Sequence, residues 1–516
     1  MKKLLILGLL LVLSLGLLSG CQSGGSSADD EPFVFIVGVS FDAQNYNPDL
    51  RVDDGAYSAN QNIFSRLIKL GPKDNIIPDL AESYEFSADG LTLTFHLHSG
   101  VKWHDGEPFS SADVKWTFDT MKAEAWSQSF ILDNVIDIEC PDDNTVVFNM
   151  SSPDAAIIAR LAWYGTFIMP KHIYEGTDVS TNPANESPIG TGPFKFSVWE
   201  KGVGTTLVKN EDYFGQVPEI DELVFSIIPD EQTRYQAFIN GEVDYIGTMP
   251  SSNFNDLDDD PNYRFIQQIG INRLYIAFNM NTELGGDLAF RQAVAYAIDQ
   301  QSIKDRCMPA GEVAVTFVSP LFEDYADYNY TLPEYNLDKA IEILEAAGYT
   351  KNADGYYIEV DFPFFNSSNW ADVAQVIKAN LDKAGIKLNL NMMEISAWQT
   401  AVIDDDDFVI TMLAGYQGPD ISGIYNRVGT GAAANVPNYS DPEMDEWLLK
   451  GQTTTAVADR AAAYSEVQRI MSEDLPMVLI YDNGYKYVFK VAYTGYPMDV
   501  PDKAGASEYT YVTKVK

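Results

Sequence analysis

Asp420 and Arg427 stand seven residues apart behind Pro419, an acid and a base spaced to share one helical face. Proline suits a first helical position, and a pair so placed could grip the amine and the carboxylate of a zwitterion. A second reading stands beside it: an N-terminal acid favouring the helix dipole, with an exposed Arg427. Metal chemistry has thinner support. His96 and His98 put two imidazoles on one strand face, with His104 and Glu107 the nearest further ligands, and an exposed polar face explains them equally well. The run Asp404 to Asp407 lacks the spacing of a calcium loop and reads as a solvated turn. No metal and no cofactor is expected. Catalytic signatures are missing: there is no H-E-x-x-H, no G-x-S-x-G and no C-x-x-C. Gly190-Thr191-Gly192 and Gly429-Thr430-Gly431 lack the Gly-Lys-Ser/Thr that would cradle phosphate, so they read as turns. All 4 histidines precede residue 173. The chain is not expected to be an enzyme; a surface glycosidase is the enzymatic alternative.

The elements that must position these residues show in the hydrophobic pattern. Phe33 to Val37 opens the body as a buried strand. Leu91, Leu93, Phe95 and Leu97 alternate with Thr92, Thr94, His96 and His98, a period-two strand with one polar face. Asp113 to Met121 reads as a helix started by Ser110 or Ser111. Trp103, Trp116 and Phe118 read as core. Leu337, Ile341, Leu344 and Ala347 share a helical stripe between Asn336 as cap and Gly348 as stop. The clearest unit runs from 357 to 393. It has a strand at Tyr357 to Phe362 and a helix at Trp370 to Ala384 with Val373, Ile377 and Leu381 inward, ended by Gly385. Alternating Ile386, Leu388, Leu390 and Met392 follow. That is a β-α-β unit with a parallel strand pair, so the fold class is α/β.

Composition bounds the setting. Lys2 and Lys3, the apolar run Leu4 to Leu18 and Leu18-Ser19-Gly20-Cys21 describe a signal peptide over 1–20. Cys21 resembles the lipid-accepting cysteine of bacterial lipoproteins, and 21–30 is a small, polar tether. The expected location is therefore the outer face of the cell membrane, or the periplasm. The net charge of −41 repels nucleic acid and anionic lipid headgroups. A hydrophobic content of 46% supports two or three packed lobes rather than disorder. Apart from Cys21 only Cys140 and Cys307 remain, so stability must come from packing.

Five stretches in order resemble the extracytoplasmic solute-binding proteins of the oligopeptide, dipeptide and nickel importer family. They are IPDLAES (77–83) leading into SADGLTLTFHLHSGVKWHDGEPFSSADV (87–114), then PIGTGPFKF (188–196), QAFINGEVDYI (236–246) and LAFRQAVAYAIDQQSI (288–303). The resemblance implies a three-lobed periplasmic-binding-protein-like fold of the cluster C type. Its first lobe would take 31–55, 187–268 and 480–516, its second 56–186 and its third 269–479, with the ligand between the first and third. It also implies capture of a peptide or other small organic solute by lobe closure, delivery to an ABC permease and ATPase, and a monomer.

In the peptide-binding branch the third lobe carries an acid in a stretch like Ala-Asp-Tyr-x-x-Pro, which pairs with the peptide amine. Here the stretch is Ala414-Gly415-Tyr416-Gln417-Gly418-Pro419, and Gly415 holds the acid position. A buried ammonium without a counter-charge is costly, so Asp420 is the nearest replacement. Trp398 matches a family position where an aromatic lines the site, with core packing as the alternative, and Tyr416 and Gln417 sit where the cleft should open. The third lobe holds no histidine, which speaks against imidazole-bound nickel, though not against a metal chelate. Oligosaccharides stay open, given 29 Tyr and 8 Trp that can stack on sugar rings, as does a surface sensor or chaperone for peptides.

Overall fold

The computed structural model describes residues 31–50, 53–73, 75–163, 165–365, 367, 369–416 and 418–515. The signal peptide and Cys21 lie outside the described residues. Val34–Lys516 forms one unit of contacts. Its first strand, β1 (Val34–Val39), buries Phe35 and Val37 on one face, as alternation requires. It pairs in parallel with β8 (Glu222–Ile227), which lies antiparallel to β7 (Gly204–Lys209), itself antiparallel to β6 (Phe194–Glu200). A second sheet is wholly antiparallel, in the order β2 (Ala81–Phe86), β3 (Thr92–Leu97), β5 (Thr145–Met150), β4 (Val135–Asp142). Leu93, Phe95 and Leu97 point into its core, with His96 on the other face.

Local signals set the helix that follows. Of the two serines, Ser110 is the cap of α1 (Ser111–Ala123): it takes an extended backbone, its hydroxyl accepts from Ala112 N–H, and Asp113 returns a bond to the Ser110 N–H at 3.0 Å. That reciprocal pair satisfies two end donors of the helix. Ser111 instead gives its hydroxyl to the Asp142 carbonyl at 2.7 Å. Trp103 and Phe118 are buried in the core over 67–179, and Trp116 packs on its edge.

The histidines are engaged by neighbouring groups of the chain. His98 lies 3.1 Å from Glu82, and His96 lies 3.9 Å from Glu85. His104 has both ring nitrogens engaged: Gly190 N–H donates to Nδ1 at 3.2 Å, and Nε2 donates to the Gly192 carbonyl at 3.0 Å. Burial holds its pKa down to about 4, so the ring is neutral near pH 7. Among the described residues no cluster of His, Cys, Asp and Glu could hold a metal ion. Cys140 and Cys307 are free thiols.

The β-α-β unit is built from β10 (Ile358–Phe365), α3 (Trp370–Lys383) and β11 (Ile386–Met393), with Ile358 opposite Ile386 in a parallel pair. Val373, Ile377 and Leu381 are fully buried on α3, each worth roughly 1.5–3 kcal/mol of transfer out of water. Gly385 ends the helix with φ +78°, a backbone that only glycine adopts readily. Two details differ from the pattern. Met393 rather than Met392 packs on the core, so the alternation breaks past Leu390. In α2 (Leu337–Ala346) the buried stripe is Ala340 and Leu344, because Ala347 already lies at the exposed C-cap.

The C-terminal half carries its own core over 274–481. Two long strands connect it to a smaller apolar cluster around Phe238 and Val488. These are β9 (Tyr263–Phe278) and β13 (Met477–Lys490), paired antiparallel from Tyr263 opposite Lys490 to Ala277 opposite Met477. The register shifts between Ile269 and Arg273, so one ladder serves two cores through a bulge. There Gly484 runs so close to another segment that a Cβ would sit 2.2 Å from the Ala310 carbonyl oxygen. On the other edge of β9 runs β12 (Ile410–Tyr416), antiparallel, with Gly415 opposite Arg273.

Candidate ligand site at the strand crossover

The bulge in β9 puts Arg273 at the first paired position beyond it, and β12 ends at the same level. Arg273 is 1% exposed and forms a forked ion pair with Asp482, Nη2 to Oδ2 being 3.2 Å, while Nη2 also reaches the Thr316 carbonyl at 2.8 Å. Burial pushes the Asp482 carboxyl up, and the guanidinium opposes that rise. Arg273 Nη1 is buried with no acceptor among the described residues.

Gly415, opposite Arg273, leaves room for another cation. A Cβ built there would lie 2.9 Å from Cε1 of Tyr275 and 3.0 Å from both Cζ and Nη2 of Arg427. The Arg427 guanidinium therefore stands where a side chain at 415 would be. Tyr275, 2% exposed, faces it: burial raises the phenol's pKa, and the Arg427 charge and hydrogen bond pull it back. The space beside Gly415, where the family resemblance implies an amine-pairing acid, is filled by positive charge.

Asp420 and Arg427 do not lie on one regular α-helix. The segment after it is a 3-10 turn, Ile421–Ile424, followed by one α-helical turn, Tyr425–Val428. A 3-10 stretch turns more per residue than an α-helix, so the seven-residue spacing no longer follows α-helical geometry. The carboxylate caps that turn through Ser422 N–H at 2.9 Å and gives its two oxygens to Arg460, at 2.6 and 3.1 Å. Arg460 also donates Nε to the Gly451 carbonyl at 2.9 Å, and its guanidinium lies 5.2 Å from the Tyr325 ring. Burial works against the Arg460 charge, but Asp420 more than offsets it, and the guanidinium's pKa is raised. Asp420 thus caps the turn and pairs with Arg460 in the fold.

Trp398 is 6% exposed, donates its indole N–H to Thr411 Oγ1 at 3.2 Å and meets Phe365 edge-on at 5.0 Å. It is a core residue here rather than an open stacking surface. Tyr416 closes β12 opposite Asn272; Gln417 lies outside the described residues. Sequence reasoning missed Arg273, Tyr275 and Arg460. The one local sign was Arg273 itself, a charge inside the strand run LYIAF (274–278).

Away from the crossover, the 67–179 core and the C-terminal core also touch. Ala155 N–H donates to the Gln452 carbonyl at 3.2 Å. Beside that bond a cavity of about 510 Å³ is lined by the turn Phe86 to Gly90, by Pro153 and by Thr453 to Ala456.

Comparison with known proteins decides the family. A family model for bacterial extracellular solute-binding proteins, family 5, matches residues 75–435. The chain belongs to this family. It is a solute-binding protein that works outside the cytoplasm, on the α/β fold of the periplasmic binding proteins. It is 28% identical to the oligopeptide-binding protein AppA of Bacillus subtilis, over 93% of each chain. Among solved structures, the ABC transporter substrate-binding protein CtaP of Listeria monocytogenes superposes with a TM-score of 0.84 at 23% identity, covering 94% of this chain and 100% of that one. The protein AgaA of A. tumefaciens R10, solved with agropinic acid, gives 0.74 at 27% identity, covering 94% and 99%.

Proposed function

We propose that this family member is a lipid-anchored receptor that captures a peptide or other small organic solute and hands it, chemically unaltered, to an ABC importer. The observation that carries the reading is the two-strand crossover, where one ladder joins two separately packed cores. Such a connection lets two bodies hinge while each keeps its own packing. The relatives' ligands, an oligopeptide for AppA and agropinic acid for AgaA, define the size and chemistry of solute expected.

The core clusters support a division into three lobes. The core over 67–179 falls within a lobe of 56–186, and that over 274–481 largely within a lobe of 269–479. A first lobe of 31–55, 187–268 and 480–516 completes the body. Solute touching both sides of the crossover selects the closed form, and its differential affinity for the two forms sets the shift. Cys21 carries the anchor, which raises the protein's concentration near its permease.

Native mass spectrometry of protein purified without denaturant tests this. The expected result is a non-covalent adduct of a small solute that is released on unfolding and rebinds intact. Protein that binds no small solute from its growth medium, or returns the solute chemically converted, overturns the reading.

A further inference from the structure

We propose that the chain binds one buried water molecule in the chamber between Gln61, Arg66, Asp79 and Glu508. There the water completes the polar seam that fastens the C-terminal stretch 505–510 to the helix Asp54–Ile63 and the strand Ile68–Leu70.

Size sets the first limit. The chamber is about 10 Å³, the room that a single water needs, and an organic solute does not fit in it. Its wall joins stretches far apart in sequence: Gln61, Arg66, Lys69 and Asp79 on one side, Gly505 and Glu508 on the other. Direct bonds already close much of the seam. Lys69 donates to Glu508 Oε2 at 2.5 Å, Gly505 N–H donates to the same oxygen at 3.0 Å, and the Thr510 hydroxyl donates to Oε1 at 2.8 Å. Gln61 Oε1 accepts from Ser507 N–H at 3.4 Å, and Asn62 Oδ1 accepts from Tyr509 N–H at 3.0 Å.

Two donors are left over. Gln61 is 6% exposed and Arg66 is 3% exposed, yet Gln61 Nε2 and Arg66 Nε have no acceptor among the described residues. A buried donor without an acceptor bears its full desolvation penalty, and both of these residues line the same chamber. An acceptor for a proton stands there too. Asp79 Oδ2 takes the Arg66 N–H at 2.7 Å, whereas Oδ1 lies 3.6 Å from Lys69 Nζ, beyond hydrogen-bond reach. The occupant must therefore accept from the two donors and donate to a carboxylate.

Charge then separates water from an ion. Burial works against the Lys69 ammonium, but Asp79 and Glu508 more than offset it, so its pKa is raised and it stays charged. Arg66 and Lys69 balance Asp79 and Glu508, and a wall so balanced draws in neither a cation nor an anion. Water is neutral, donates and accepts, and fits. The larger hollows carry less: neither the acidic cavity between Glu359, Asp361, Asp406 and Asp407 nor the one beside Thr453 to Ala456 is lined by a residue with a buried, unpartnered side-chain atom.

Crystals of the native chain, at a resolution that shows ordered water, test this. One water is expected within about 2.7–3.2 Å of Gln61 Nε2 and Arg66 Nε, and a bromide soak should leave no anomalous peak in the chamber. In solution, oxygen-17 relaxation dispersion should count one long-lived internal water fewer in Gln61→Met, which keeps the side-chain length and lacks the amide. An empty chamber in the native crystals, a bromide peak there, or direct pairing of Gln61 Nε2 and Arg66 Nε with acceptors of the chain overturns the proposal. An unchanged water count in folded Gln61→Met overturns it as well. If that variant does not fold, the native crystals decide alone.

Discussion

Two arginines of the C-terminal half, Arg460 and Arg427, show how differently the same side chain can be housed. Arg460 is closed by the chain itself: both oxygens of Asp420, the Gly451 carbonyl and the face of Tyr325 surround it. Arg427 stands over a glycine, beside a phenol, where the strand ladder passes from one core to another. A cation surrounded by the chain's own acceptors adds to fold specificity at a heavy desolvation cost. A cation over a missing side chain keeps its place only while position 415 stays a glycine.

Substitution should separate the two. Arg460→Ala strands the Asp420 carboxylate in a half-buried site, and urea unfolding should show a loss of about 3–5 kcal/mol; a loss below 1 kcal/mol would put Arg460 in the same class as Arg427. Next in size is a pH effect that bears on neither arginine and so controls for general fragility. His104 is held neutral, with a folded pKa of about 4 against an unfolded value near 6.5. As pH falls through that window the unfolded chain takes the proton first, so stability present above pH ~6.5 is lost as pH approaches ~4. The loss should be about 2–3 kcal/mol, allowing for the ring's partial exposure. His104→Gln, which can still accept and donate, should flatten that part of the urea-midpoint profile; an unchanged acid limb would refute the assignment. Gly415→Ala should cost about 1–3 kcal/mol of stability, because Tyr275 is buried and cannot yield freely, and it should weaken solute binding. Smallest of all, Arg427→Gln, which keeps a hydrogen-bond donor beside Tyr275, should change folding stability by less than about 1 kcal/mol; a larger loss of the urea midpoint would place Arg427 with Arg460.

What could be read from sequence was what neighbours in sequence decide. Ser110 with Asp113 three residues on, Gly385 after a helical stripe and the alternation through Leu93, Phe95 and Leu97 are local, and they appear as expected. Arg273 and Asp482 are 209 residues apart and meet only because β9 and β13 pair in one register. No local pattern encodes that register. The single α-helix expected to carry Asp420 and Arg427 is absent for a different reason. Spacing arguments assume one helix type, and the chain changes from 3-10 to α between them. The fork from Arg460 then captured the acid. Family resemblance located the stretch around Gly415, but a deletion in chemistry, glycine for an acid, reveals its consequence only when the atom that fills the gap is seen.

The central claim is that two bodies close on a solute across the crossover and release it unaltered. Small-angle scattering of stripped protein, with and without its co-purified solute, tests that most directly. The account predicts a smaller radius of gyration on addition and recovery of the same solute after unfolding. An unchanged radius at saturating solute, with binding confirmed, would contradict it.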